Sequence, residues 1–98
     1  MTVSTTESGE SVTIHVQGRF DFAIHSEFQG AWRNFNRGEK TFIVDFADTE
    51  YMDSSAMGML LQLRDHGKSG ARVELINGSD SIKEILRIAN FDKLFDVM

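Results

Sequence analysis

The chain contains no cysteine, so neither a disulfide framework nor a thiolate metal site can be built from it. Proline is absent too, an absence that by itself excludes nothing. No apolar run approaches the roughly 20 residues of a membrane span, and no basic-then-apolar leader opens the chain. The expected location is therefore the cytoplasm, with no membrane partner. Basic residues are outnumbered by acidic ones, 10 to 15, and the formal charge of −5 argues against a nucleic-acid partner, which needs a basic patch. What is present suits one globular domain over residues 1–98, with an apolar share of 41% and an aromatic share of 10%.

The opening segment is built for strands. Val3–Glu7 is a Thr- and Ser-rich run suited to an edge strand, and Ser8-Gly9-Glu10 supplies a turn. Val12-Thr13-Ile14-His15-Val16 alternates β-branched apolar residues with polar ones, the period of a half-buried strand, and Gly18 ends it. Together they predict an N-terminal β-hairpin. Ile24, Phe28, Ala31, Trp32 and Phe35 recur at helical spacing, closed by Arg37-Gly38, and predict an amphipathic helix whose aromatic face is core. Phe42-Ile43-Val44 reads as a central strand. Beyond the polar stretch Gly67–Gly70, the next strand is expected over Ala71–Ile76, followed by the turn Asn77-Gly78. Ser81-Ile82-Lys83-Glu84 has capping-box spacing for a third helix ending near Asn90. Phe91, Leu94, Phe95 and Val97 must fold back on the domain, as a helical turn or a terminal strand. The order β-β-α-β-α-β-α predicts an α/β fold: a mixed sheet of four to five strands, an antiparallel opening hairpin, parallel pairing elsewhere, and helices mainly on one face.

The most informative stretch is Tyr51–His66. From Ser54 to His66 there is neither a β-branched residue nor a proline, and Ala, Met, Leu, Gln and Arg dominate. Asp53, Ser54 and Ser55 are each able to cap a helix start, and Gly67 is a natural stop. At ~100° per residue, Ala56, Met59, Leu60 and Leu63 form one stripe suited to packing on a sheet. Met57 and Leu61 fall beside that stripe with Arg64, widening the apolar arc to about 200° against the ~100° a core-facing helix requires. By spacing alone, this surplus belongs either to a generous core or to a surface that another protein reads.

Val44-Asp45-Phe46-Ala47-Asp48-Thr49-Glu50-Tyr51-Met52-Asp53-Ser54-Ser55-Ala56-Met57-Gly58 resembles the core motif of the STAS family, the domain of bacterial anti-sigma factor antagonists. There a buried strand leads through Asp-Ser-Ser or Asp-Ser-Thr into a helix that usually continues Gly-Leu-Gly; here Ala56-Met57-Gly58 stands in its place. Gly18-Arg19-Phe20-Asp21 resembles the family's Gly-x-Leu-Asp element, with Phe20 in the leucine position. The resemblance covers essentially the whole chain. It implies that Ser54 is a phosphorylation site with Asp21 as its neighbour, and that Asp21, Asp53, Ser55, Met57, Gly58, Leu61 and Arg64 belong to a partner-binding surface.

Little else in the chain carries chemistry. His15, His25 and His66 lie in separate elements with no second ligand at i+3 or i+4, so no metal site is expected. Ser54 is not in a Gly-x-Ser-x-Gly elbow, and Asp21 and Asp53 lack an evident substrate cleft. Asn77-Gly78-Ser79 and Gly67–Gly70 are too short and plain to cradle a phosphate on their own. The expectation is therefore no enzyme and no cofactor. The resemblance implies a phosphorylation-controlled partner switch, bound to an anti-sigma factor that is also a serine-protein kinase and reset by a serine phosphatase. Two alternatives are a non-switching STAS scaffold or accessory subunit of a transport complex, and a module that binds a nucleotide or other small ligand.

Overall fold

The computed structural model describes residues 2–98. Strands β1 (Val3–Ser8) and β2 (Ser11–Val16) form the antiparallel hairpin, with Ser8 opposite Ser11 and Gly9 at φ +60° in the two-residue turn. That φ is open to glycine at little cost, which fixes the register of the hairpin. β2 pairs in parallel with β4 (Thr41–Asp45), β4 with β6 (Glu74–Ile76), and β6 with β7 (Asp96–Val97). The main sheet thus has five strands in the order β1-β2-β4-β6-β7.

Burial alternates along β2 and β4. Val12, Ile14, Val16, Phe42 and Val44 point into the core, while Thr13, His15, Thr41, Ile43 and Asp45 are half-buried on the opposite face. The period of two therefore separates a helix-covered face from an open one. The covered face packs against Ala56, Met59, Leu60 and Leu63 of α2 (Ser54–His66) and against Ile82 and Leu86 of α3 (Asp80–Ile88), all within one apolar cluster.

Four local expectations are corrected. Gly18 does not simply end β2: with φ +79° it turns the chain into a further strand, β3 (Gly18–Phe20). β3 pairs in parallel with β5 (Thr49–Met52), and the two make a separate two-stranded sheet. The first helix is shorter than its spacing implies. A 3-10 turn at Phe22–Ile24 leads into α1 (His25–Gly30), after which Ala31 and Trp32 donate to carbonyls three residues back. Those tighter bonds end the helix, although Trp32 and Phe28 are still buried. β6 begins at Glu74, not Ala71, because only Glu74–Ile76 find partners on β4. Finally, α3 is capped by Ser79, whose Oγ accepts from the Ile82 N–H at 3.3 Å, so Ser81 lies inside the helix.

α3 ends as anticipated near Asn90, which adopts a left-handed φ of 61°. The tail uses both of the conformations open to it: a 3-10 turn over Phe91–Lys93, then β7 on the edge of the sheet.

Candidate functional site

β3 and β5 run side by side, with Phe20 opposite Met52. Each strand is followed directly by an aspartate, Asp21 and Asp53, so the parallel pairing sets the two carboxylates at the same end of the small sheet. Each aspartate caps the helical segment after it. Asp21 Oδ1 accepts from the Ala23 N–H at 3.0 Å. Asp53 Oδ1 accepts from the N–H groups of Ser55 and Ala56, at 3.0 and 3.3 Å, and from the Ser55 hydroxyl at 2.6 Å. Asp53 is therefore the cap of α2, and Ser54 is its first helical residue. The Ser55 hydroxyl holds the Asp53 carboxyl below the usual carboxylate range, helped by the two N–H donors and the charge of Arg19.

The two serines consequently differ. Ser55 is half-buried and its hydroxyl is committed to Asp53, whereas Ser54 is exposed and makes no side-chain hydrogen bond among the described residues. Beyond them, Gly58 is exposed, and a Cβ placed on it would meet nothing within 4 Å. Leu61 is 38% exposed, while Leu60 beside it is fully buried. Met57 is half-buried and packs partly against the core, so it is shared between the two faces. Arg64 is exposed, and its Nε donates to the Leu94 carbonyl at 3.2 Å, tying α2 to the tail. Ser54, Gly58 and Leu61 thus lie along the outer side of α2, opposite the stripe that faces the sheet, with Arg64 on the flank between the two.

Three residues of this region were not singled out from the sequence. The Arg19 guanidinium lies 4.1 Å over the Tyr51 ring, and its Nε donates to Asp21 Oδ2 at 3.3 Å. Arg19 thereby joins the two strands that carry the aspartates. Phe22, next to Asp21, is 66% exposed and stacks on His25 with ring centroids 4.8 Å apart. The signal for Arg19 and Tyr51 is their placement opposite one another, which the linear sequence does not contain. Among the described residues, no group of three or more His, Cys, Asp or Glu is placed to hold a metal, and no helix is long and apolar enough to cross a membrane.

A family model described as "Mlab, STAS domain" matches residues 3–96. A STAS-domain containing protein of Pseudomonas aeruginosa is 41% identical, an alignment covering 99% of this chain and 97% of that protein. Among solved structures, an anti-sigma factor antagonist from Mycobacterium paratuberculosis aligns with a TM-score of 0.80 at 12% identity, over 98% of this chain and 83% of that one. The Bacillus cell fate determinant SpoIIAA in its phosphorylated form aligns at 0.66 and 21% identity, over 98% and 90% of the two chains. A sulfate transporter family protein from Wolinella succinogenes aligns at 0.71 and 19% identity, over 94% and 79%. At these identities the structural likeness is one of fold, shared with anti-sigma factor antagonists and with a transporter protein alike. With the family model spanning nearly every residue and a full-length relative at 41% identity, the chain belongs to the STAS domain family.

Proposed function

We propose that this chain is an anti-sigma factor antagonist acting as a phosphorylation-controlled partner switch in the cytoplasm. Unphosphorylated, it binds an anti-sigma factor that is also a serine-protein kinase, and so frees that factor's client. The kinase phosphorylates Ser54 and the complex separates; a serine phosphatase restores the binding form. In this reading the chain is a substrate and a ligand, not an enzyme.

The observation that carries the reading is the asymmetry between two neighbouring hydroxyls. Ser54 is free and exposed at the edge of the outer face of α2, while Ser55 is held by Asp53. A phosphate adds about −1.5 to −2 charges near neutral pH. Two N–H donors at the helix start are already taken by Asp53, so a phosphate on Ser54 projects outward instead of settling onto them. The positive end of the helix dipole still tolerates the charge, and the fold is kept. A partner seated over Gly58 and Leu61 meets a strongly solvated anion beside an apolar contact. A penalty of ~3–4 kcal/mol there weakens binding by about 100–1,000-fold, sufficient for a switch.

The test is affinity capture with the Ser54→Ala and Ser54→Asp proteins, followed by phosphosite mapping after incubation with the captured kinase and ATP. The expected result is kinase retention by Ser54→Ala, loss by Ser54→Asp, and modification chiefly at Ser54. Modification centred on Ser55, Ser79 or Ser81 would refute the assignment. The similarity to a sulfate transporter family protein favours a second reading, a constitutive accessory subunit of a transport assembly. In that case both variants recover the same membrane subunit or ATPase equally, and Ser54 stays unmodified.

A further inference from the structure

A basic surface lies at the opposite end of α2, where the helix meets the tail. A groove of about 400 Å³ opens there, within the size range of small-molecule sites. Four basic side chains line it, Arg64, Lys68, Arg72 and Lys93, against one acidic residue, Asp65. The chain as a whole is acidic at −5 and has 10 Lys and Arg in total, so this concentration runs against its overall balance. The four come from three separate segments: the end of α2, the connection after it, and the 3-10 turn of the tail.

The two arginines are oriented mostly by backbone carbonyls. Arg64 Nε donates to Leu94 O at 3.2 Å, and Arg72 Nη2 donates to Asp92 O at 2.9 Å and Phe95 O at 2.7 Å. A carbonyl fixes a guanidinium without cancelling its charge; only Arg72 also meets a carboxylate, Asp96 at 2.9 Å. Lys93 has no acidic partner among the described residues, and Lys68 reaches only the 77%-exposed Glu10 at 3.3 Å, a pair that water screens. Holding the tail needs Arg72 and Arg64; it does not need two further lysines at the same mouth. The N–H groups of Ser69 and Gly70 make no backbone hydrogen bond among the described residues, and Gly70 has φ +83°. Apolar lining is limited chiefly to Ala71 and Leu94. On its own, Gly67–Gly70 is too short a loop for a phosphate; the fold supplies the missing cations from elsewhere.

We propose that this groove binds a small polyanion carrying two or more phosphate groups, held by Lys68, Lys93, the free edge of Arg64 and the loop N–H donors. The site is separate from Ser54 and does not depend on the partner-switch reading. The test is calorimetric titration of the full chain with inorganic pyrophosphate, with ATP and with inorganic phosphate, each at low and at moderate salt. Pyrophosphate and ATP are expected to bind with Kd below about 1 mM at low salt, and inorganic phosphate about tenfold more weakly. Equal affinity for the first two identifies a bare polyphosphate chain as the ligand chemistry, and tighter binding of ATP identifies a nucleotide. The Lys68→Ala/Lys93→Ala protein is expected to lose about 10–100-fold in affinity with Tm changed by no more than about 2 °C. Backbone amide shifts on titration are expected at Gly67–Arg72 and Lys93–Leu94. No binding of pyrophosphate or ATP up to about 5 mM, affinity unchanged in the double variant, or shifts confined to Ser54–Met57 would each overturn the proposal.

Discussion

Gly58 offers the sharpest test of the outer face of α2, because its two readouts are expected to move in opposite directions. It is the fifth residue of a 13-residue helix, well inside both caps. Glycine there costs helix stability by about 0.8–1.0 kcal/mol relative to alanine. Nothing within the chain explains the choice: the position is exposed, and an added Cβ would touch no atom within 4 Å. Gly58→Ala is therefore expected to stabilise the free domain by about 0.5–1 kcal/mol, or roughly 2–8 °C in Tm for a domain of this size. If the partner's backbone packs on the bare helix surface, the same methyl group must displace it. An overpacking cost of about 1–3 kcal/mol weakens binding by roughly 5–150-fold. Thermal melting gives the first quantity, and titration of the captured partner gives the second. A lower Tm would show that the helix needs glycine for its own conformation. A raised Tm with unchanged affinity would remove Gly58 from the interface.

Leu60→Ala, at a fully buried position, is expected to cost about 2–5 kcal/mol in denaturant unfolding. Leu61→Ala, starting 38% exposed, is expected to cost about 1 kcal/mol or less while weakening partner binding; equal destabilisation by the two would place Leu61 in the core. Ser54→Asp is expected to melt within a few degrees of the parent, since an acidic residue in the first turn suits the helix dipole, and a protein unfolded at 25 °C would refute that. Asp45 supplies a pH test on the open sheet face. Burial raises its pKa, but hydrogen bonds from the Ala47 N–H, Asn77 and His15, together with the His15 charge, hold it below the usual value on balance. A depressed folded-state pKa contributes stability above the unfolded value near 3.9, and that contribution is lost as pH falls through the folded value. The stability gap between the parent and Asp45→Asn, measured by denaturant melts, is therefore expected to shrink from pH 6 to pH 3. A gap independent of pH over that range would refute the linkage.

The sequence by itself determined the elements whose rules are local. The alternation in Val12–Val16 announces which side chains face the core, and Val12, Ile14 and Val16 are all buried. In α2, Asp53 starts the helix, Gly67 follows its end, and Ala56, Met59, Leu60 and Leu63 are the four buried residues, as their spacing requires. Capping and helical periodicity act within about one turn of chain, so a linear reading captures them. Even local chemistry misleads where several residues compete. Three side chains were able to cap α2, and Asp53 alone does so because its carboxylate collects three donors at once, leaving Ser54 free.

Tertiary structure decided what depends on residues distant in sequence. β3 and β5 are three and four residues long, too short to display a period, and each is a strand because the other lies beside it. That pairing sets Asp21 alongside Asp53 and Arg19 over Tyr51. The same holds at the far end of α2, where Arg64 and Lys93 line one groove although 29 positions separate them in the chain. Local propensities reach about four residues along the chain; a contact across some thirty is selected only by the packing of the whole core.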